Sequence, residues 1–321
     1  MSNGSSRIPV TVAEVVEVND LIKRFRFVRT GGGHLPTFSG GSHVVVEMED
    51  RGSRRLNPYS LMSDPADTSS YTISVRRDDM GRGGSLFMHR QVTPGMQMQI
   101  GPPVNLFPLD LRGRKHLMIA GGIGITPFMA MAAQLNARGE KFELHYAARS
   151  RALGAYMDFL EQRYGDRVHL YVDEEGQAID LAGLLSRQPI GTHLYVCGPK
   201  PMLNWVLNTA GKMGWPEGAV HSEEFLGAPV GKRFEVELAA AGKTIIVEGN
   251  QSLLEAMEAA GVDAPYLCRG GACGQCETDV LHCEGHLEHN DHWLTAEQKA
   301  SGTKIMTCVS RFEGKRLVID R

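Results

Sequence analysis

The sequence predicts a multidomain chain: an antiparallel β-barrel first, an α/β unit on a parallel sheet second, and a small α+β unit last. Three observations predict it. A length of 321 residues exceeds what one core usually organises. Short β-branched runs separated by Gly- and Asp-rich turns fill the first third. Apolar strands then alternate with helical patterns, until a Gly/Pro-containing stretch near residue 225 starts a new pattern. The composition, 42% hydrophobic and 22% charged, is that of a soluble globular protein. A net charge of −3 offers no basic face to nucleic acid. The N-terminal MSNGSSRIPV has no apolar run after Arg7, and nothing approaches the apolar length of a membrane span. The chain is therefore read as cytoplasmic, where thiols stay reduced.

Each unit follows from its residues. Over 1–112, HVVVEM (43–48) and YTISVRR (71–77) read as strands between turns such as TGGGH and EDRGS, which suggests a barrel. A short helix is expected after GRGGS, with Ser85 as its N-cap. Over 113–228, HLMIA, KFELHYAA and THLYVCGP read as strands. Between the first two, Phe128, Met131, Ala132 and Leu135 recur at the helical period, with Pro127 in the first turn and Gly139 as the stop. Strands alternating with helices predict a parallel sheet covered on both faces. The stretch FLGAPVGKRFEV (225–236) reads as a linker. Over 232–321, FEVELAAAGKTIIVEG reads as a hairpin, and Ser252 with Glu255 forms a capping box for a helix that Gly261 stops.

The densest chemistry lies in YLCRGGACGQC (266–276). Cys268, Cys273 and Cys276 are spaced C-x4-C-x2-C, and Cys308 in IMTCVSR follows at a distance. Thiolates suit soft iron, and this spacing is that of the plant-type two-iron, two-sulfur (2Fe-2S) cluster. Gly270, Gly271 and Gly274 let the backbone wrap closely and aim N–H groups at sulfur. The last unit is expected to be a ferredoxin domain of the β-grasp type. Structural zinc is the weaker reading, because it usually shows paired knuckles and only one C-x2-C is present. Cys283 has no place in the pattern and reads as an ordinary thiol. His282, His286, His289 and His292 read as a solvated loop rather than as ligands.

GGIGITP (121–127) lies between a strand and a helix, where backbone N–H groups bind pyrophosphate, although the last glycine of the usual dinucleotide fingerprint is missing. Tight strand–helix packing explains those glycines equally well. Cys197-Gly198-Pro199 ends another strand at the edge where α/β sheets bind ligands. Cys197 would lie near the reactive end of a nucleotide, or is a buried cysteine before a turn. Asp173, Glu174 and Glu175 after a third strand favour a ribose 2′-hydroxyl over a 2′-phosphate, against which Arg149 argues mildly. A pyridine nucleotide gives two electrons as hydride and a 2Fe-2S cluster takes one at a time. A flavin converts between them, so the first unit is expected to hold one. LNPYSL (56–61) and GRGGS (81–85) are its candidate contacts.

PYSL, RGGS, AGGIGITP, YVCGP, EEF and C-x4-C-x2-C…C, in this order over nearly the whole chain, resemble the phthalate dioxygenase reductase family. GGSHVVV, NPYSLMSDP and RGGSLF are similar to the branch serving carnitine-type monooxygenases. The resemblance implies FMN as flavin, NADH as donor and a Rieske-type oxygenase as acceptor. It implies that Tyr59 and Ser60 contact the flavin ring and tail and that Ser74, Val75 and Arg76 line the site. Gly83, Gly84 and Ser85 would hold the phosphate. Gly122, Thr126, Cys197, Gly198 and Pro199 would form the nicotinamide side, with Phe225 near the flavin. One departure stands out: the family's Arg-x-Tyr-Ser has Asn57 in place of the arginine. Arg54, Arg55 and Arg76 are nearby candidates for the phosphate charge, and the choice among them stays open.

The sequence is thus read as an FMN-binding barrel (1–112), an NADH-binding α/β domain (113–228) and a 2Fe-2S ferredoxin domain (232–321). Hydride would pass to flavin and single electrons through the cluster to an oxygenase, an electron-transport activity that needs no named general acid or base. The competing readings are a redox-sensing module and an NADH reductase for another type of hydroxylase.

Overall fold

The structure is a computed structural model, and it describes residues 7–50 and 53–321. Three separate sheets organise it. The first contains β1 (Ile8–Asn19), β2 (Ile22–Arg29), β3 (Ser42–Asp50), β4 (Ser53–Ser60), β5 (Tyr71–Arg76), β6 (Gln97–Ile100) and β7 (Val104–Asn105). The order is β4-β3-β6-β1-β2-β5, with β7 on β3, and every pair is antiparallel. The end strands β4 and β5 lie against one another, which curls the sheet into a barrel. Alternation explains the burial: Val10, Val12, Phe25, Phe27, Val44, Val46, Ile73 and Val75 point into one core. The short helix α1 (Gly84–Arg90) follows. Its N-cap is Gly83 at φ 100°, not Ser85 as the sequence suggests. Only glycine takes that left-handed backbone readily. Ser85 sits inside the first turn, where its Oγ accepts from the Asp78 N–H at 3.0 Å.

The second sheet contains β8 (Lys115–Gly121), β9 (Phe142–Ala148), β10 (Val168–Val172), β11 (Thr192–Cys197) and β12 (Val220–Glu223), all parallel, in the order β10-β9-β8-β11-β12. Helices α2 (Thr126–Ala137), α3 (Met157–Tyr164), α4 (Leu181–Ser186) and α5 (Lys200–Lys212) cover its faces. Each face has its own core: Met118, Ala120, Tyr195 and Cys197 belong to one, Leu117, Ile119, Leu194 and Val196 to the other. This is why the strands read as unbroken apolar runs. Strand order reverses between β8 and β11, so the loops after them flank a crevice of the kind where open α/β sheets bind ligands.

The third sheet contains β13 (Phe234–Leu238), β14 (Lys243–Val247), β15 (Glu277–Glu288), β16 (Lys304–Met306) and β17 (Arg311–Ile319), in the mixed order β14-β13-β17-β15-β16. It packs against α6 (Leu253–Ala259), and α7 (Ala296–Ser301) precedes β16. The capping box is formed: Ser252 Oγ accepts from the Glu255 N–H, and Glu255 returns a carboxylate to the Ser252 N–H. The sequence reading of a histidine loop is corrected for His282 and His286, which lie on β15 beside Cys283. Their strand has a weak apolar pattern because its outer face is solvated and its pairing with β16 and β17 fixes it. Residues 224–233 carry no helix or strand, yet the far end of this connection is tied down. Gly231 N–H donates to the Gly249 carbonyl, and buried Arg311 donates to the carbonyls of Lys232, Glu248 and Gln251. Among the described residues no helix is long and apolar enough to cross a membrane.

Candidate functional site

The cysteine loop leaves α6 and closes onto the end of β16. Cys268, Cys276 and Cys308 are buried, Cys273 is half-buried, and none is in a disulfide. Cys276 and Cys308 sulfurs lie 3.1 Å apart, and Cys268 and Cys273 are near enough to share a proton. Backbone N–H groups of Gly270, Ala272 and Cys273 point at the Cys268 sulfur and hold its pKa down, after the larger effect of Cys273 itself. Gly271 and Gly274 adopt φ 71° and 77°, and a Cβ on Gly274 would sit 2.8 Å from Trp293 Cδ2. Four converging thiols with N–H donors aimed at sulfur suit a 2Fe-2S cluster. Arg269 is buried within the same loop, its guanidinium 3.9 Å above the Tyr266 ring and paired with Glu258 of α6.

The two glycine turns of the parallel sheet pack directly on each other. A Cβ on Gly124 would press into the Cys197 carbonyl and lie 2.7 Å from the Gly198 nitrogen, and one on Gly121 would lie 2.9 Å from Pro199 Cδ. Gly122, by contrast, has φ 53° and open space around it. The packing reading of the GGIGITP loop holds at Gly121 and Gly124, while Gly122 turns through a left-handed backbone with space around it. Thr126 donates to the Ile123 carbonyl at the start of α2. Cys197 is 1% exposed and belongs to the core, and burial pushes its thiol pKa up.

These pieces meet in a cleft of about 780 Å³ lined from all three units. The barrel supplies Asn57, Tyr59, Ser60, Ser74, Arg76, Gly83, Gly84 and Ser85. The parallel-sheet unit supplies Ile123, Thr126 and the segment from Ser222 to Phe225, and the cysteine loop supplies Cys268, Arg269, Gly270 and Ala272. Tyr59 receives a hydrogen bond from Asn57 Nδ2 at 3.3 Å, and burial pushes its phenol up to about 12, so it stays neutral. A Cβ on Gly84 would press on Asn57 Nδ2 and lie 3.1 Å from Asn57 Cγ, so a side chain there would have to push Asn57 aside. The Ser74 hydroxyl is 2.5 Å from Tyr156 Oη, a barrel contact to the second unit. Phe225 is half-exposed at the rim.

Six expected residues do not line this cleft: Arg55, Val75, Gly122, Cys197, Gly198 and Pro199. Val75 points its side chain into the barrel core, and its carbonyl is bonded by His89. Arg55 turns toward the third unit and donates to the Asn250 carbonyl at 2.9 Å. Its Nε still lies 3.6 Å from where a Gly83 Cβ would be. Cys197, Gly198 and Pro199 pack behind the glycine turn, with Gly124 against the Cys197 carbonyl and Gly121 against Pro199.

Sequence reasoning missed several lining residues. Arg82 pairs with Glu255 at 2.5 Å, joining the barrel turn to the capping box of α6. His43, on β3, is buried with Nε2 unpartnered, and burial lowers its pKa to about 4. A neutral imidazole with an orphaned nitrogen suits a polar ligand in the cleft. Glu223 has an unpartnered Oε2, and burial raises its carboxyl to about 8. His292 contacts Glu224 at 2.7 Å. The EEF motif marks Glu223 and Glu224 in the sequence and GGSHVVV contains His43, but the direction of the His43 side chain depends on strand register.

A nucleotide-type parallel sheet, a barrel cleft and a four-thiol site open to one another define a multidomain flavin and iron–sulfur oxidoreductase. Comparison with known proteins agrees. Residues 236–313 match the model of the 2Fe-2S iron-sulfur cluster binding domain. Residues 96–220 match that of the dimethylamine monooxygenase subunit DmmA-like N-terminal domain. The chain is 46% identical to the carnitine monooxygenase reductase subunit of Acinetobacter baumannii over the full length of both. It is 44% identical to the heme-dependent oxidative N-demethylase beta subunit of Ectopseudomonas mendocina, over 98% of this chain and 99% of that one. Among solved structures it superposes on phthalate dioxygenase reductase, a module for electron transfer from pyridine nucleotides to [2Fe-2S], with a TM-score of 0.88, 33% identity and 98% of each chain covered. The chain belongs to the phthalate dioxygenase reductase-like family. The β-grasp and branch expectations agree with these matches.

Proposed function

We propose that this chain is the NADH-dependent, FMN- and 2Fe-2S-carrying reductase of a two-component Rieske-type oxygenase, acting in the cytoplasm. One observation carries the reading: a single cleft is lined by the barrel, by the parallel-sheet unit and by the cysteine loop. Bound flavin would accept hydride and release electrons singly. The residues of this chain orient and enclose that chemistry. Tyr59 and Ser60, with Ser74 and Arg76, face the flavin, and Val75 shapes the wall from the core. Gly83, Gly84 and Ser85 receive the phosphate at the start of α1, with charge from Arg82 and Arg76. Arg55 supports this turn from behind, and Asn57 holds Tyr59. Gly122 and Thr126 meet the nucleotide, Cys197, Gly198 and Pro199 back the glycine turn on the nicotinamide side, and Phe225 closes the flavin side. Cys268, Cys273, Cys276 and Cys308 hold the cluster. The units run over 1–112, 113–228 and 232–321, a division that follows the three sheets.

NADH is favoured over NADPH because Asp173, Glu174 and Glu175 follow β10, and Glu175 pairs with Arg151 at 2.8 Å, against which the nearby Arg149 argues mildly. A haem-type acceptor is the second reading, favoured by the similarity to a heme-dependent demethylase subunit. The test supplies purified protein with NADH or NADPH and compares three acceptors: ferricyanide, a Rieske oxygenase component and a haem demethylase subunit. Flavin mass, iron and acid-labile sulfide are measured on the same sample. FMN, two-iron content and Rieske turnover are expected. Turnover with the haem subunit alone moves the assignment to the second reading, and no NADH turnover with any acceptor favours a sensor.

A further inference from the structure

The turn between β15 and α7 touches both halves of the electron path. His292 donates its backbone N–H to the Gly271 carbonyl at 3.1 Å, inside the Cys268–Cys273 loop. Its side-chain Nε2 lies 2.7 Å from Glu224 Oε2, one residue before Phe225 and one after the end of β12. Asn290 adds a second tie, donating to the Gly227 carbonyl at 2.9 Å. The turn itself is stiff. The fully buried Asp291 carboxylate accepts from the N–H groups of Trp293 and Leu294, and Lys299 donates to its carbonyl. A stiff turn bonded to the cysteine loop on one side and to the strand-end segment on the other transmits position between them. The remaining ties of the third unit described above, Arg82–Glu255 and Arg55–Asn250, reach the barrel instead.

We propose that His292, through Glu224, is a positioning residue for electron transfer from flavin to cluster, holding the cysteine loop at transfer distance from the cleft. The inference rests on the reading of the cleft as the flavin site. Interfaces between domains of one chain otherwise permit relative motion, and tunnelling falls steeply with separation. In the step concerned, one electron leaves the reduced flavin and one cluster iron goes from ferric to ferrous.

The test is anaerobic rapid mixing of the holoprotein with NADH, with flavin bleaching and cluster reduction followed separately by absorbance and freeze-quench EPR. In His292→Ala and Glu224→Ala, the rate of cluster reduction relative to flavin bleaching in the same variant is expected to fall about tenfold or more, a size consistent with a small displacement. The double variant should be no slower than the singles, because both remove one interaction. His292→Gln, which keeps a donor, should recover most of the rate. Hydrogen exchange at residues 224–227, measured with and without NADH, should rise in both alanine variants. Wild-type cluster reduction in both alanine variants overturns the proposal, and so does slowing in His292→Ala that Glu224→Ala does not share. If His292→Ala loses iron, Glu224→Ala and His292→Gln decide. No oxygenase is present, so a mistaken acceptor cannot imitate failure, and a parent protein whose flavin is not bleached by NADH overturns the flavin reading itself.

Discussion

Glu223 shows how a single residue acquires a property its sequence neighbours do not reveal. It ends β12, its carboxyl is buried in the cleft wall, and desolvation raises its pKa to about 8. A carboxyl that binds its proton more tightly when folded stabilises the fold at low pH. That contribution shrinks as pH rises from the ordinary carboxyl range through about 8. Glu223→Gln should flatten this dependence. Urea midpoints taken at about pH 5.5 and 8.5 should converge in the variant, whereas the parent loses up to about 1.4 kcal/mol per pH unit from this group. An unchanged pH slope in Glu223→Gln would show that the carboxyl is already ionised. His43 carries the same lesson with the opposite charge: burial keeps it neutral, which leaves a polar nitrogen facing the cleft rather than a cation.

At the scale of elements, glycine positions separate packing from binding. Gly124 lies where the loop after β8 meets the Cys197 carbonyl at the end of β11, so an added methyl must push two backbones apart. Gly124→Ala should cost about 1–3 kcal/mol in urea unfolding and should reduce NADH–ferricyanide turnover. Gly122→Ala meets no atom within 4 Å and should bear only the left-handed backbone cost, about 1–2 kcal/mol. If both variants behave alike in turnover, the close approach of the two loops does not matter for the nucleotide. The capping box of α6 is a second element-level device, because Glu255 serves both the helix end and Arg82. Ser252→Ala should destabilise the third unit by about 1 kcal/mol. Cluster bleaching in a urea titration would report it, and a midpoint equal to the parent's would refute it.

For the whole molecule the prediction concerns division of labour. Chain cleavage belongs at residues 228–230, since Gly231 and Lys232 are already bonded to the third sheet. A fragment ending at Ala228 retains two sheets with their own cores. It should keep NADH–ferricyanide activity and lose reduction of the oxygenase, because the proposed exit runs through Cys268, Cys273, Cys276 and Cys308. The fragment also loses Glu255 and Asn250, so Arg82 and Arg55 become freer and flavin affinity reports how much the third unit steadies that turn. Oxygenase reduction by the fragment at the full-length rate would place the exit at the flavin.

The sequence by itself determined the chemistry that is local in the chain. The cluster ligands announce themselves because three of the four share one loop, and a 2Fe-2S site constrains spacing more than surroundings. Hairpins, capping box and alternating strands were legible for the same reason: period and turn residues act over a few positions. Only the tertiary structure decided which way Arg55 turns, that Cys197 is buried behind the glycine turn, that His282 and His286 ride on a strand, that His43 is buried, and that Glu223 Oε2 is shut off from solvent without a partner. It also decided which arginine meets which acid, since Arg82 and Glu255 are 173 residues apart and Arg55 and Asn250 are 195 apart. Such pairings have no periodic trace in the sequence, because they depend on how three separately patterned sheets come to rest against one another.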